Sequence, residues 1–269
     1  MSAGNGFQTH NACIVFRMAF DVAASAYDRF MGRYSVPLAP LFADFAGIGP
    51  GLVALDVGCG PGALTAELVR RLGSASVFAV DPSEPFAAAA QERFPGVTVR
   101  RAPAEEIPFD DGTFDASLAQ LVVHFMADPV AGLREMRRVT RRGGIVAACV
   151  WDFASGNAPV SPFWTAALRL DPRANDEGGL AGAREGHLGD LLRQAGFDEV
   201  SESALEVRVG HATFNEWWEP YNLGVGPAGA YLASLSTSEQ ERLRDQCRSM
   251  LPAAPFVVSG RAWAARGTA

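Results

Sequence analysis

An acid and three alternating glycines stand close together in the run V-A-L-D-V-G-C-G-P-G-A-L-T, which covers positions 53–65. Apolar residues alternate through this stretch, so Asp56 lies at the end of a short predicted strand. Gly58, Gly60 and Gly62 follow and predict a tight loop in which the backbone can approach a ligand closely. The next residues predict a helix whose N-terminus faces that loop. A strand, a glycine loop and a helix N-terminus in this order indicate a nucleotide-type binding site.

Two kinds of ligand fit these glycines. Gly58, Gly60 and Ala63 also satisfy the dinucleotide fingerprint G-x-G-x-x-A. The charge of Asp56 favours the other kind, because a carboxylate repels a pyrophosphate and attracts a cationic ligand. A nicotinamide dinucleotide and a cationic cofactor are therefore the alternatives, and the sequence favours the cation.

The stretch around Asp56 resembles the first motif of the class I S-adenosylmethionine-dependent methyltransferases, whose cofactor carries a sulfonium and an ammonium. The resemblance covers roughly residues 27–151 and involves several ordered motifs. It implies that S-adenosyl-L-methionine is the co-substrate. It also implies that the first motif binds this cofactor through Asp56, Gly58, Cys59, Gly60 and Gly62.

A second acid, Asp81, ends the next apolar run. It lies 23 residues after Gly58, close to the spacing of roughly 20 expected for an acid that reaches a ribose diol. A carboxylate can accept hydrogen bonds from two adjacent hydroxyls. The resemblance implies the same role for Asp81, with Pro82 beside it. The alternative for Asp81 is an ordinary helix N-cap.

The resemblance also implies cofactor contacts outside these two motifs. The loop after the third strand is similar to the segment that contacts adenine, and its candidates are Ala104 and Glu105. Gln120 ends the fourth strand, where ligands of open α/β sheets gather. Tyr27 and Arg33 precede the first motif and are candidates for closing the pocket. Packing or surface exposure is the alternative for these last two residues.

His124 is the candidate catalytic base, four residues beyond the fourth predicted strand. Methyl transfer from a sulfonium is an in-line displacement with a good leaving group, so alignment of donor and acceptor can supply most of the catalysis. A base is needed only if the acceptor must lose a proton early. The apolar residues on both sides of His124 favour the alternative, in which the ring only packs or holds a loop.

The composition limits the partners. The chain has a formal net charge of −7 and contains no lysine or long basic run, so we expect no nucleic-acid partner. No apolar run approaches the roughly 18 residues that span a bilayer, so we expect no membrane partner and a cytoplasmic protein. The four cysteines and four histidines are scattered, so we expect no metal site.

The residues after the fourth strand restrict the class of methyl acceptor. Nucleic-acid amino-methylating enzymes of the family carry an Asp/Asn-Pro-Pro-aromatic run there, whereas this chain reads A-Q-L-V over 119–122. The chain thus resembles the broad group that includes ubiquinone and menaquinone biosynthesis methyltransferases, which act on small molecules. We expect a small-molecule methyltransferase. An NAD(P)-dependent oxidoreductase and a non-catalytic S-adenosylmethionine-binding protein are the alternatives.

Apolar runs alternate with helical patterns, which predicts an α/β fold with a doubly wound, mostly parallel sheet. The resemblance implies seven strands in a Rossmann-like methyltransferase fold, with the last strand, near 255–265, as an antiparallel edge. We expect a flexible N-terminus over 1–20 and one methyltransferase domain over 21–269. Its cofactor-binding core covers about 50–151, and helical cap segments cover about 21–46, 152–186 and 212–252.

Two further patterns concern the cap. Helices are predicted over 21–34 and 37–45, with a break before Pro37. The aromatic residues of the last cap segment have two interpretations, the lining of an apolar acceptor pocket or the packing of a lid or core. They are Phe214, Trp217, Trp218 and Tyr221.

Overall fold

The computed structural model describes residues 24–269, and the predicted flexible segment over 1–20 lies outside them. Seven strands of the described chain form a single sheet. In chain order they are β1 (Ala54–Val57), β2 (Val77–Asp81), β3 (Thr98–Arg101), β4 (Phe114–Gln120), β5 (Thr140–Trp151), β6 (Val200–His211) and β7 (Phe256–Thr268).

Helices connect and cover these strands. The described chain opens with one helical turn, Ala24–Tyr27, and a π-helical turn, Asp28–Gly32. The main helices are α1 (Arg33–Phe45), α2 (Ala63–Leu72), α3 (Glu84–Arg93), α4 (Pro129–Val139), α5 (Ser161–Leu170), α6 (His187–Gln194), α7 (Phe214–Trp218), α8 (Gly226–Ser234) and α9 (Thr237–Met250). None of the helices in this part of the chain combines the length and apolar character needed to cross a bilayer.

The sheet order is β3-β2-β1-β4-β5-β7-β6, which confirms the predicted fold class. Strand β1 pairs in parallel with β2 on one side and with β4 on the other. The chain order therefore reverses at β1, and the connections leave toward opposite edges of the sheet. In open α/β sheets this reversal opens a crevice at the carboxyl ends of the strands, where ligands bind.

The last strand is antiparallel, as predicted, and lies one position in from the edge. Strand β7 pairs with β5 on one side and with β6 along its whole length on the other, both antiparallel. Strand β7 carries small, fully buried residues such as Ala262 and Ala265, whereas most residues of β6 are exposed. The charged strand β6 is thus the better edge, because an exposed edge with charges resists pairing with other chains.

The predicted break before Pro37 is wrong, because α1 continues through both Pro37 and Pro40. Each proline removes one backbone donor and normally ends a helix. Here α1 packs against α2 and β6, and it buries Leu38 and Phe42 completely. The packing of this apolar face outweighs the local cost of the prolines, as tertiary contacts commonly do for helices.

Strand β5 bulges where it passes Asp115. Phe114 is the partner of Thr140, but Ala116 is the partner of Ile145, so the intervening residues of β5 form an irregular turn. The backbone of Gly144 passes so close to β4 that an added Cβ would lie 2.6 Å from the carbonyl oxygen of Asp115. No side chain fits this position without moving the central strand.

We expect Gly144→Ala to lower the free energy of unfolding by about 1–3 kcal/mol, the usual cost of overpacking a well-packed interior. Gly49→Ala is the matched control, since a Cβ at Gly49 meets nothing within 4 Å. Urea denaturation of both variants measures the difference. Equal stability of the two variants would contradict the close passage of β5 over β4.

Candidate active site

The three glycines of the loop after β1 all have positive φ angles, +69° at Gly58, +53° at Gly60 and +100° at Gly62. A Cβ on Gly58 would lie 2.5 Å from Val122, and one on Gly62 would lie 2.5 Å from Phe94. A Cβ on Gly60 meets nothing within 4 Å. The outer two glycines therefore permit packing within the protein, while Gly60 leaves open space at the carboxyl end of the sheet.

Asp81, at the carboxyl end of β2, holds this loop in place. The backbone N–H of Gly60 donates to its Oδ2, and the N–H of Ser83 donates to its Oδ1, both at 2.8 Å. Ser83 rather than Asp81 is the N-cap of α3. The carboxylate therefore faces the glycine loop across the end of the sheet, which is the position that the sequence predicts for a ribose contact.

Asp56 is almost completely buried at the end of β1, with 1% of its surface exposed. Its Oδ2 accepts a 2.6 Å hydrogen bond from the hydroxyl of Thr65, in the first turns of α2. Its Oδ1 is buried and has no partner among residues 24–269. Thr65, which the sequence reasoning missed, is thus the one side chain of the described chain that hydrogen-bonds this acid.

Both acids are protonated more readily than usual. Burial raises the pKa of Asp56 to about 7, and the nearby charge of Asp81 adds to this effect. Burial raises the pKa of Asp81 to about 6, although its two backbone hydrogen bonds oppose the shift. Two buried carboxylates at neighbouring strand ends resist ionising together, and a cationic ligand between them would relieve that cost.

The other residues of the glycine and adenine segments are placed as follows. Cys59 is buried, and its thiol lies 3.5 Å from the carbonyl oxygen of Gly60. Ala104 is buried. The Oε1 atom of Glu105 accepts a hydrogen bond from the N–H of Asp128 at 3.1 Å, so its carboxylate fixes the loop to the start of α4. Pro82 is exposed beside Asp81.

The two residues predicted to close the pocket, Tyr27 and Arg33, lie in different parts of the structure. Tyr27 packs edge-on against Phe86, with ring centroids 5.4 Å apart. Its burial and the charge of Asp81 raise the pKa of its hydroxyl, so Tyr27 lies on the cofactor side. Arg33 instead places Nη1 3.0 Å from Nδ1 of His211 and donates to the carbonyl of Glu216 at 3.3 Å.

Arg33 therefore joins the first helical segment to the end of β6 and to α7. All of its polar contacts within residues 24–269 are with these elements and with its own helical segment. The structure does not bring it to the glycine loop, and its prediction as a cofactor contact is not supported by its placement. Side chains of successive helix residues point about 100° apart. A shift of one residue is therefore enough to move a side chain such as that of Arg33 to another face of the helix.

Gln120 lies at the carboxyl end of β4, as predicted, but its side chain turns toward α1. Its Nε2 donates to the carbonyl of Ser35 at 3.1 Å, and its Oε1 is buried without a partner in the described residues. The next residue, Leu121, is the one non-glycine residue of that range with a positive φ, +63°. Such strain is uncommon outside functional sites.

A small cavity of about 40 Å³ lies beside this strand end. Its lining comes from the first helical turns, the end of β4, the end of β5 and the cap segments. The lining residues are Tyr27, Phe30, Met31, Leu121, His124, Phe125, Trp151, Phe153, Val160, Glu177, Val225, Gly226, Pro227 and Ala228. The cavity is mostly apolar, as small-molecule sites usually are.

His124 is one of three residues in this lining whose pKa is strongly shifted. Its ring packs on Phe125 and Phe153, with centroids 3.9 Å and 5.5 Å away. Burial lowers the pKa of His124 to about 3, so the imidazole is neutral at neutral pH. The other two are Tyr27 and Glu177. Glu177 was missed by the sequence reasoning because it stands in a polar, irregular stretch.

The aromatic residues of the last cap segment pack with one another and do not line the cavity. The ring of Tyr221 stacks on Phe163 at 4.6 Å, and Trp217 lies 5.0 Å from Tyr221. Phe214 and Trp218 stack at 6.1 Å. Of the two interpretations, the structure supports packing within the protein.

Comparison with known proteins identifies the domain. A family model described as a methyltransferase domain matches residues 55–148. An uncharacterized methyltransferase of Mycobacterium tuberculosis is 36% identical over 135 residues, which are 50% of this chain and 52% of that protein. The ubiquinone/menaquinone biosynthesis C-methyltransferase of Bdellovibrio bacteriovorus is 29% identical over 154 residues, 54% of this chain and 65% of that protein. Residues 55–148 of this chain are therefore similar to a methyltransferase domain.

Solved structures share the fold of this chain. The geranyl diphosphate C-methyltransferase of Streptomyces coelicolor, solved with Mg²⁺, geranyl diphosphate and S-adenosyl-L-homocysteine, has a TM-score of 0.50 at 17% identity. The match covers 88% of this chain and 80% of that one. The chain spans about half of the mycobacterial relative and less than two thirds of the Bdellovibrio enzyme.

We expect Asp56→Asn to become more stable relative to the wild type as the pH rises. The raised pKa of Asp56 means that its contribution to folding is complete below the unfolded-state pKa near 3.9 and is lost as the pH rises through about 7. Urea denaturation of the full chain without ligand, at a series of pH values, measures the difference in the free energy of unfolding.

Asp115→Asn is the control with the opposite sign. The N–H of Val53 and the guanidinium of Arg141 hold the pKa of Asp115 below its usual range, so the advantage of the wild type over this variant grows with rising pH. If the difference between the wild type and Asp56→Asn did not change with pH, Asp56 would not be the buried acid described here.

Proposed function

We propose that this protein transfers a methyl group from S-adenosyl-L-methionine to a small-molecule acceptor by in-line displacement. The observation that carries the proposal is the pair of buried acids, Asp56 and Asp81, on either side of an open glycine loop. A cavity lined by His124 lies beside the same end of the sheet. An anionic dinucleotide would meet unfavourable charges at the loop, whereas a cation would meet favourable ones.

The residues present fit this cofactor. Asp81 would accept hydrogen bonds from the ribose hydroxyls, and Asp56, with a buried unpartnered Oδ1, would stabilise the cationic end. The open side of Gly60 would receive the ligand, with Gly58, Gly62, Cys59 and Pro82 shaping the loop. Ala104 and Glu105 would border the adenine, and Tyr27 would cover the site. When bound, the cofactor supplies an electrophilic methyl group.

The side chains of the cavity would orient the acceptor and exclude water. A neutral imidazole at His124 can accept a hydrogen bond from the acceptor, but a base with a pKa near 3 takes a full proton poorly. We therefore assign His124 an orienting role at the acceptor. Most of the acceleration comes from alignment of the two reactants.

A small-molecule acceptor is supported by the size and polarity of the cavity. A mostly apolar space of about 40 Å³ would admit the reacting end of a small molecule. The names of relatives and structural neighbours that act on quinone precursors and geranyl diphosphate point the same way. The net charge of −7 opposes a polyanionic acceptor.

Calorimetry tests the cofactor part of this proposal. We expect the full chain to bind S-adenosyl-L-homocysteine and to show no heat with NADH. We also expect Gly60→Ala to weaken the binding of S-adenosyl-L-homocysteine at least about tenfold, because the added methyl group would occupy space that the ligand needs. Heat with NADH alone would favour an oxidoreductase and contradict the proposal.

Gly73→Ala is the matched control. Gly73 also has a positive φ, +81°, and open space around it, but it ends α2 away from the loop. Both variants place an alanine at a positive φ, and only Gly60→Ala should lose affinity. An equal loss of affinity in both variants would mean that reduced stability, and not the filled ligand space, causes the effect.

A further inference from the structure

A buried acid in the cap segment faces the acceptor cavity. Glu177 lies between α5 and α6, with 5% of its surface exposed, and lines the cavity together with His124. Its Oε2 accepts a 2.8 Å hydrogen bond from Nε1 of Trp164, on α5. No arginine forms an ion pair with it within the described part of the chain, so nothing there neutralises its charge.

The neighbours of Glu177 raise its proton affinity. Burial raises the pKa of its carboxyl to about 7, the charge of Asp176 adds to the shift, and the bond from Trp164 opposes it. The cavity is also lined by the neutral ring of His124 and by Tyr27. The remaining lining is apolar apart from Trp151, whose buried Nε1 has no hydrogen-bond partner in the described residues. Burying a carboxylate without a cation costs free energy of folding. Such a group in a cavity is therefore a candidate for a functional residue.

We propose that Glu177 recognises the methyl acceptor by accepting a hydrogen bond from its hydroxyl or amine, and that it receives the proton which this group loses. The inference rests on the methyltransferase function proposed above. The acceptor is then an apolar molecule with a single hydrogen-bond donor at its reacting end. Carboxylic acids and phosphates are excluded at that end, because two anions in an apolar cavity repel strongly.

In the proposed step the acceptor gains the methyl group of S-adenosyl-L-methionine and loses one proton. A lone pair of the acceptor oxygen or nitrogen forms the new bond to the methyl carbon, and the S–C bonding pair leaves with sulfur to give a neutral thioether. The O–H or N–H pair stays on the acceptor atom, and the proton moves to the Glu177 carboxylate. Solvent then removes this proton before the next turnover.

Glu177 suits this role better than His124. General bases work best when their pKa lies near the operating pH, and of the two residues only Glu177 meets that condition. Trp164 fixes the carboxylate on one oxygen, which leaves the other free to accept from the acceptor.

The test compares small probes on the full chain with S-adenosyl-L-homocysteine bound. Ligand-observed NMR measures the affinities of phenol, aniline, anisole and benzoate. We expect phenol or aniline to bind at least about tenfold more tightly than anisole and benzoate, since a charge-assisted hydrogen bond distinguishes them. We expect this preference to weaken as the pH falls below about 7, where Glu177 takes up a proton.

Glu177→Gln should lose both the preference and its pH dependence, while Glu185→Gln, an exposed acid of the same segment, should keep them. Trp164→Phe retains the carboxylate and removes its donor, so it should move the pH midpoint upward. This second variant tests the inference even if Glu177→Gln fails to fold.

Calorimetry on the same samples separates two failures. If S-adenosyl-L-homocysteine binds but no probe distinguishes the wild type from Glu177→Gln, the role of Glu177 is overturned. If S-adenosyl-L-homocysteine does not bind the wild type, the proposed function itself has failed.

Discussion

The cost of burying negative charge at the ends of neighbouring strands governs this site. Asp56 and Asp81 lie at the carboxyl ends of β1 and β2, and burial raises the pKa of both. The protein offsets part of that cost with the Thr65 hydroxyl and with backbone N–H groups. The remaining cost makes the site selective, because a ligand that brings positive charge gains more there than it would in water. The loop geometry follows from the same requirement, since only glycines at positive φ let the backbone turn back onto Asp81.

The acceptor side applies the same physics with a different outcome. There Glu177 is also buried without a cation, but its neighbours are apolar rings and a neutral imidazole. In our proposal the two ends of the site therefore differ in what they accept: a cationic group at the glycine loop, and a hydrogen-bond donor in the cavity. Helix α1 is tied to β4 by Gln120 and to β6 by the contact of Tyr34 with His211. Residues predicted to touch the cofactor from this region are therefore partly structural.

Local chemistry was predictable from the sequence, and long-range orientation was not. The loop after β1 follows from residue types that only a positive-φ turn requires, and the position of Asp81 follows from strand spacing. Gln120 contacts a residue 85 positions away, and Arg33 contacts one 178 positions away, so no local pattern indicates which way these side chains turn. The burial of Glu177 depends on Trp164 across an irregular loop, and the inner position of β7 depends on pairing with β6 over the whole strand. The continuous helix α1 shows the same limit, because its packing outweighs two prolines.

The central claim is that buried acids select a cationic ligand, and proton release on binding tests it most directly. Titrating S-adenosyl-L-homocysteine into the full chain at a pH of about 6.5, in two buffers of different ionisation enthalpy, gives the number of protons exchanged. Because the ligand ammonium would stabilise ionised Asp56, the account predicts net proton release that is largely lost in Asp56→Asn. Binding without proton exchange, or with proton uptake, would contradict it.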